Sequence, residues 1–141
     1  MKTYAYAATF EPSERDGGLT VTFADVPEAI TEGNDMAEAR AMAADALGVV
    51  LLAYLEAGRP LPEPATVGTM IAPEPESAMK IAIIETFREA GISRSELARR
   101  IGKDEKEARR LLDPDVNTKL PLIVSALAAM GKRLVIGIEA A

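Results

Sequence analysis

The sequence predicts an α+β protein in which a small antiparallel sheet and one long helix precede a helical domain with a terminal strand. Three observations support this expectation. Residues 19–23 alternate apolar and polar side chains, as a half-buried strand does. Residues 36–57 repeat alanine and leucine at helical spacing. Residues 93–112 contain two short helix patterns separated by a glycine.

Short strands account for most of the first part of the chain. The turn signal Asp16-Gly17-Gly18 comes before a segment in which Leu19, Val21 and Phe23 share one face. The strands are expected over residues 1–10, 19–23, 29–32 and 66–72. A long helix follows the third strand, because Asp35 and Glu38 form a capping pair and Gly58 provides a stop.

The two halves of the chain differ in charge. The proline- and glutamate-rich composition of residues 72–76 predicts a boundary near Pro75, with domains over residues 1–74 and 77–141. Residues 1–76 hold 4 basic and 13 acidic side chains, a net charge of −9, whereas residues 77–141 hold 12 and 9, a net charge of +3. This asymmetry suggests surfaces for two partners, although acidic side chains also simply keep small domains soluble.

The second half has the spacing of a DNA-reading helix-turn-helix. After a helix over residues 76–90, Ser93 and Glu96 form a capping box, Gly102 ends that short helix, and Asp104 caps the next one. Leu97, Ala98, Ile101, Ala108 and Leu111 are expected to face inward. The candidate DNA-binding residues are Arg94, Ser95, Lys103, Lys106, Arg109 and Arg110. The alternative is a helical hairpin that only dimerises and leaves its arginines in solvent.

The end of the chain predicts an oligomer. A last helix over residues 119–130, capped by Thr118, is followed by a β-branched run over residues 133–139. A lone strand after four helices has no partner in its own domain, so we expect it to pair with a second subunit, in a dimer or tetramer. The expected dimerisation residues are Leu134, Val135, Ile136 and Ile138.

Composition excludes several classes of function. The chain has no cysteine and no histidine, which removes thiol nucleophiles, zinc-finger spacings and the commonest general base. It has no tryptophan and few other rings, so a platform for stacking single-stranded RNA is not expected. Residues 1–6 do not resemble a signal peptide, and the apolar run over 46–55 is too short to span a bilayer. We therefore expect a cytoplasmic protein without cofactor, metal or membrane partner.

These motifs, in this order, resemble the antitoxin component of HicA–HicB toxin–antitoxin pairs over essentially the full chain. The matching segments are Leu19-Thr-Val-Thr-Phe-Ala-Asp-Val-Pro27, Ile30-Thr-Glu-Gly33, Leu97-Ala-Arg-Arg-Ile-Gly102, Glu107-Ala-Arg-Arg-Leu-Leu-Asp-Pro114 and Gly131-Lys-Arg-Leu-Val135. The resemblance implies a truncated ribonuclease-H-like first domain that binds and silences a small basic ribonuclease toxin of the HicA type. It also implies that the second domain binds double-stranded operator DNA of its own operon as a dimer.

Acidic side chains of the first domain are the candidates for contact with such a toxin, because complementary charge speeds association. They are Glu11, Asp16, Asp25, Glu28 and Glu32, with Glu14 beside them. Two features depart from the helix-turn-helix pattern. Lys103 occupies a turn position that is usually apolar, and Glu105 and Glu107 lie on the helix expected to face DNA.

Two other interpretations of function remain. The first is an orphan helix-turn-helix transcription regulator whose first domain senses a ligand or oligomerises. The second is a metal-dependent nuclease, which requires several acids converging on metal ions. Asp25 precedes Val26-Pro27, where a turn role is common, and no convergent acidic cluster is evident. We therefore expect a binding protein and not an enzyme.

Overall fold

Four strands form one antiparallel sheet, in the order β3-β2-β1-β4. They are β1 (Tyr6–Pro12), β2 (Leu19–Phe23), β3 (Ile30–Gly33) and β4 (Thr69–Ile71). Ala8 of β1 lies opposite Phe23 of β2, and Tyr6 lies opposite Ile71 of β4. The structure is a computed structural model that describes residues 1–14 and 17–141, so the turn predicted at Asp16 lies outside the described residues. The four expected strands are present, with β1 starting later and β4 shorter than the sequence predicts.

Helix α1 (Met36–Glu56) covers one face of this sheet. Asp35 accepts a hydrogen bond from the Glu38 amide at 2.8 Å, and the Glu38 carboxylate accepts from the Asn34 amide at 3.1 Å. These bonds satisfy amides that a helix start otherwise leaves unpaired. The buried faces of the two layers interlock through Ala39, Ala43, Leu47 and Leu51 of α1 and Val21 and Phe23 of β2. The strand alternation in residues 19–23 and the helical spacing in residues 36–57 predicted this core of one helix on a sheet.

Two glycines allow α1 to approach its neighbours closely. A Cβ atom on Gly33 would lie 2.4 Å from the Ala39 nitrogen, inside the first turn of α1. A Cβ atom on Gly48 would lie 2.9 Å from the Ser77 Cβ atom. Glycine is therefore required at both positions by the space available and not by backbone conformation.

Helix α2 (Pro75–Ala90) spans the division between the two compact units of the chain, Met1–Ile81 and Ala82–Ala141. The predicted boundary near Pro75 falls at the first residue of this helix. The compact units divide later because the first turns of α2 belong with the sheet and α1, as the contact of Ser77 with Gly48 shows.

The second unit contains three short helices, α3 (Arg94–Ile101), α4 (Glu105–Leu111) and α5 (Leu120–Ala129). Its small core includes Leu97, Ala98, Ala108, Leu111, Ile123 and Leu127. The α+β class, with a small sheet followed by a helical domain, is thus confirmed. The predicted cap of the last helix is wrong, however: its N-cap position is Lys119, without a side-chain cap, and Pro121 occupies the first turn. A proline is tolerated at this position because an amide hydrogen there would have no partner within the helix in any case.

The strand predicted over residues 133–139 does not form within the single chain. Residues 132–141 have no strand assignment, and they follow the C-terminal end of α5, where Lys132 donates a backbone hydrogen bond to Leu127 at 2.9 Å. A strand requires a neighbour for its amides and carbonyls. The described part of one chain supplies no such neighbour here, so the expected pairing between subunits stays a prediction.

Candidate functional site

The first candidate site is the helix pair α3–α4, which is held by a side-chain cap at the start of each helix and by a backbone hydrogen bond across the turn. Ser93 Oγ accepts from the Glu96 amide at 3.0 Å, and Asp104 Oδ1 accepts from the Glu107 amide at 2.8 Å. Gly102 has a φ of 68°, which lets the Lys103 amide donate to the Ala98 carbonyl at 2.9 Å. The pair is therefore closed by one cap at each helix start and one left-handed glycine between them.

The predicted DNA-binding side chains all lie on the exposed surface of this pair. Arg94, Ser95, Lys103, Lys106, Arg109 and Arg110 are exposed. Lys103 occupies the turn without burying its side chain. Its exposure resolves the packing problem that a lysine at this usually apolar position raised. Ser95 Oγ donates to the Glu105 carboxylate at 3.3 Å, and Arg109 lies 4.0 Å from the same carboxylate.

The two arginines at the end of α3 have internal partners. Glu96 accepts from Arg99 Nε at 2.8 Å and from Arg100 Nε at 2.9 Å, and these bonds, with Arg99 first, lower the pKa of Glu96 to about 2. Arg100 also donates to the Ala129 carbonyl of α5 at 3.2 Å. The expected capping box is therefore only half formed: Ser93 caps the Glu96 amide, while the Glu96 carboxylate binds arginines.

The second candidate site is the outer face of the sheet, on the side opposite α1. Thr9, Thr22 and Ile30 lie side by side across three strands, and Glu11, Thr20 and Glu32 form the next row. Ile30 is 64% exposed, and Met70 of β4, opposite Ala7, is 45% exposed. Sequence reasoning singled out the acids of this face and missed its threonines and Ile30. The alternation in residues 19–23 already placed Thr20 and Thr22 opposite the buried face.

Asp25 and Glu28, two of the predicted toxin-binding acids, have structural partners. Asp25 accepts from the Thr66 amide and hydroxyl, each at 2.8 Å, and these bonds, the amide first, lower the pKa of its carboxyl group. Tyr54 donates to the Glu28 carboxylate at 2.7 Å. That bond is the main cause of a lowered pKa at Glu28 and a raised pKa at Tyr54. Both acids thus fasten the chain after β2 to α1 and to the segment that follows it.

An arginine completes the cluster around Tyr54. The Arg59 guanidinium lies 4.0 Å from the centroid of the Tyr54 ring, and its Nη1 atom lies 3.4 Å from the Glu28 carboxylate. Three residues after Arg59, the Pro62 carbonyl accepts a hydrogen bond from the Tyr6 hydroxyl at 2.7 Å. The proline-rich residues 60–64 are therefore anchored at Pro62, and Arg59 and Thr66 on either side of them make contacts of their own. Of the other predicted acids, Glu11, Glu14 and Glu32 are exposed, and Asp16 lies outside the described residues.

Several apolar side chains are exposed on α5 and in the residues that follow it. Leu120 and Val124, one turn apart on α5, are 43% and 45% exposed. Of the predicted dimerisation residues, Leu134 is half-buried, whereas Val135, Ile136 and Ile138 are exposed. No residue from 120 to 131 carries a charge. This apolar surface was only partly expected, because the α5 contribution depends on which of its sides faces α3.

The described residues contain neither a candidate metal site nor a candidate membrane span. Across residues 1–14 and 17–141, there is no group of three or more acidic side chains placed to hold a metal ion. Within the same residues, no helix is long and apolar enough to cross a membrane.

Comparison with known proteins identifies the family. A family model described as the HicB_like antitoxin of bacterial toxin-antitoxin systems matches residues 5–71. Antitoxin HicB 1 of Photorhabdus laumondii subsp. laumondii is 35% identical over 140 residues, covering 99% of this chain and 90% of the relative. Antitoxin HicB of Escherichia coli is 38% identical over 132 residues, covering 92% and 95%. Antitoxin HicB of Pseudomonas fluorescens is 31% identical over 141 residues, covering 93% and 92%. The chain therefore belongs to the HicB antitoxin family of bacterial toxin–antitoxin systems.

Proposed function

We propose that this antitoxin has two separate binding activities: its first unit binds and silences a small basic mRNA-cleaving toxin of the HicA type, and its second unit binds operator DNA to repress its own operon. The supporting observation is that two compact units differ in charge. Residues 1–81 hold 5 basic and 13 acidic side chains, a net charge of −8, whereas residues 82–141 hold 11 and 9, a net charge of +2. The chain acts by binding and not as an enzyme.

The toxin surface in this proposal is the outer face of the sheet. Ile30 and Met70 supply apolar area, and apolar burial governs how long a complex lasts. Glu11 and Glu32 supply negative charge in the same face, which favours a basic partner and speeds encounter. The carboxylates of Asp25 and Glu28 are held by internal hydrogen bonds, so their expected contribution is to the negative electrostatic potential of the unit and not direct contact with the toxin. Glu14 and Asp16 are further acids of the same unit.

The DNA surface in this proposal is the exposed side of the helix pair. Its cations stand on a rigid turn, which is what a protein needs to present side chains to phosphates and base edges. Arg109 and Arg110 on α4 are expected to make the principal contacts. Arg94, Ser95, Lys103 and Lys106 are expected to contact the phosphate backbone beside them.

A second copy of the chain completes the DNA-binding form. The exposed stripe of α5 and the apolar residues 134–138 are separated in sequence by the exposed pair Lys132-Arg133, and each segment offers uncharged apolar area. Pairing of two such surfaces across a two-fold axis gives the tail a strand partner. It also sets two copies of α4 about 34 Å apart, as a palindromic operator requires. A tetramer would arise from two such dimers.

Titration against a small basic toxin of the HicA type tests the first activity. Thr22→Arg places a bulky cation in the centre of the outer face, and we expect it to abolish protection of cell-free translation from the toxin. Val49→Arg is the matched control, because Val49 is 61% exposed on α1, on the opposite side of the sheet. Equal loss, or no loss, in both variants contradicts the proposed surface. If the unaltered chain fails to bind the toxin, the orphan-regulator interpretation replaces the antitoxin mechanism.

Binding to a duplex of its own promoter region tests the second activity. Arg109→Ala is expected to weaken binding by about 1–3 kcal/mol if Arg109 contacts a base edge. The slope of the logarithm of the binding constant against the logarithm of the salt concentration is expected to fall by about one. Arg110→Ala is expected to act in the same direction. Unchanged affinity in both single variants and in the double variant contradicts the assignment of α4 as the reading helix.

A further inference from the structure

Glu105 is an acid on a surface that the proposed function assigns to DNA. It opens helix α4, and its side chain is 51% exposed. Its carboxylate lies between two residues of the candidate DNA surface: Ser95 Oγ on α3 donates to it at 3.3 Å, and Arg109 lies 4.0 Å away, one turn further along α4. Repulsion from phosphates makes an unpaired carboxylate at this position unfavourable for DNA binding. The presence of an acid on this surface therefore needs an explanation other than solubility.

Helix stability alone does not account for this acid. Asp104 already caps α4 by accepting from the Glu107 amide, and Glu107 adds a second negative charge in the first turn. A further acid adds only a small further stabilisation through the helix dipole. Glu105 lies 4.0 Å from Arg109, which is 61% exposed and is expected to face DNA.

We propose that Glu105 is a positioning residue that sets the sequence selectivity of Arg109; this inference rests on the proposed DNA binding. A carboxylate beside a guanidinium restricts the directions in which the arginine side chain extends. It also disfavours nearby phosphates, so Arg109 gains most from a partner that accepts two hydrogen bonds in the plane of the guanidinium. The major-groove edge of guanine, with its O6 and N7 acceptors, is that partner. Glu105 thus lowers affinity for all duplexes and raises discrimination between them.

Ser95 strengthens this arrangement by linking the two helices. Its hydroxyl, near the start of α3, holds the Glu105 carboxylate from the other side. The carboxylate therefore has one neighbour that fixes it and one that it orients. The substrate implied by this geometry is double-stranded DNA with a guanine opposite Arg109.

Glu105→Gln tests the inference, because it removes the charge while keeping the size of the side chain. Binding is measured by fluorescence anisotropy to two duplexes: the promoter region of this gene, and a scrambled duplex of equal length and composition. We expect tighter binding to the scrambled duplex, and a ratio of the two affinities that falls by about fivefold or more, the loss of part of one bidentate contact. Glu107→Gln is the matched control, with the same charge change on the same helix.

A second comparison separates positioning from a general charge effect. In an Arg109→Ala background, Glu105→Gln is expected to leave the affinity ratio unchanged, since the residue it orients is gone. The inference is overturned if Glu105→Gln keeps the ratio of the unaltered chain, if Glu107→Gln lowers it equally, or if the effect persists without Arg109. A merely structural role predicts a lower melting temperature at an unchanged ratio. If the unaltered chain fails to discriminate between the duplexes, the proposed DNA reading fails, and this inference with it.

Discussion

Replacement of Gly33 by alanine is expected to destabilise the first unit strongly. Gly33 ends β3 and is buried under the first turn of α1. An added Cβ atom would lie 2.4 Å from the Ala39 nitrogen and 2.7 Å from its Cα atom, whereas ordinary contacts begin at 3.4 Å. The clash is with backbone, so it is relieved only if α1 moves by about 1 Å. Overpacking of this kind costs about 3 kcal/mol.

The three tyrosines make this measurement specific to the first unit. Tyr4, Tyr6 and Tyr54 all precede residue 82, and the chain has no tryptophan, so tyrosine fluorescence follows the unfolding of that unit in urea. A cost of about 3 kcal/mol corresponds to a melting temperature lower by roughly 12–24 °C for a unit of this size. Gly68→Ala is the control, because its Cβ atom would meet only the Ala7 Cβ atom, at 3.4 Å. A urea midpoint for Gly33→Ala that equals the midpoint of this control would refute the packing argument.

Three further predictions concern the Tyr54–Glu28 contact, the acid sensitivity of the first unit and the C-terminal segment. Tyr54→Phe is expected to lower stability by about 1 kcal/mol through loss of its bond to Glu28. It should also remove one tyrosine ionisation from an absorbance titration, on the alkaline side of the usual tyrosine range, because the pKa of Tyr54 is raised. Because the pKa values of Asp25 and Glu28 are lowered in the folded state, their stabilisation is present above pH 4.5 and is lost as the pH falls below it; Glu28→Gln should weaken this acid dependence in the tyrosine signal. Val135→Pro removes a strand donor and is expected to convert dimers to monomers in light scattering, so that an unchanged mass contradicts tail pairing.

Local chemistry allowed much of this fold to be predicted from the sequence. The caps at Asp35, Ser93 and Asp104 and the left-handed glycine at Gly102 act over three to five residues, so their effects are encoded beside them. The exposure of the helix-pair cations followed from the same short-range pattern. The alternation in residues 19–23 correctly separated the buried face of β2 from its outer face.

Features that depend on distant partners were not predictable in this way. Asp25 binds Thr66 across 41 positions, and Glu28 binds Tyr54 across 26, so neither partner is visible in the local sequence. The division of the units inside α2 depends on the close approach of Ser77 to Gly48. The strand expected at residues 133–139 is absent from the single chain, because the local pattern says nothing about a partner for its backbone groups.

The most direct test of two separate activities measures both in the same variants of the full chain. Thr22→Arg alters the outer face of the sheet, and the double variant Arg109→Ala/Arg110→Ala alters the helix pair. Each is assayed for protection of translation from a HicA-type toxin and for binding to the promoter duplex. We expect the sheet variant to lose toxin protection while retaining DNA binding, and the helix variant to show the reverse. Loss of both activities in either variant, or loss of the opposite activity, would contradict the proposed division of function.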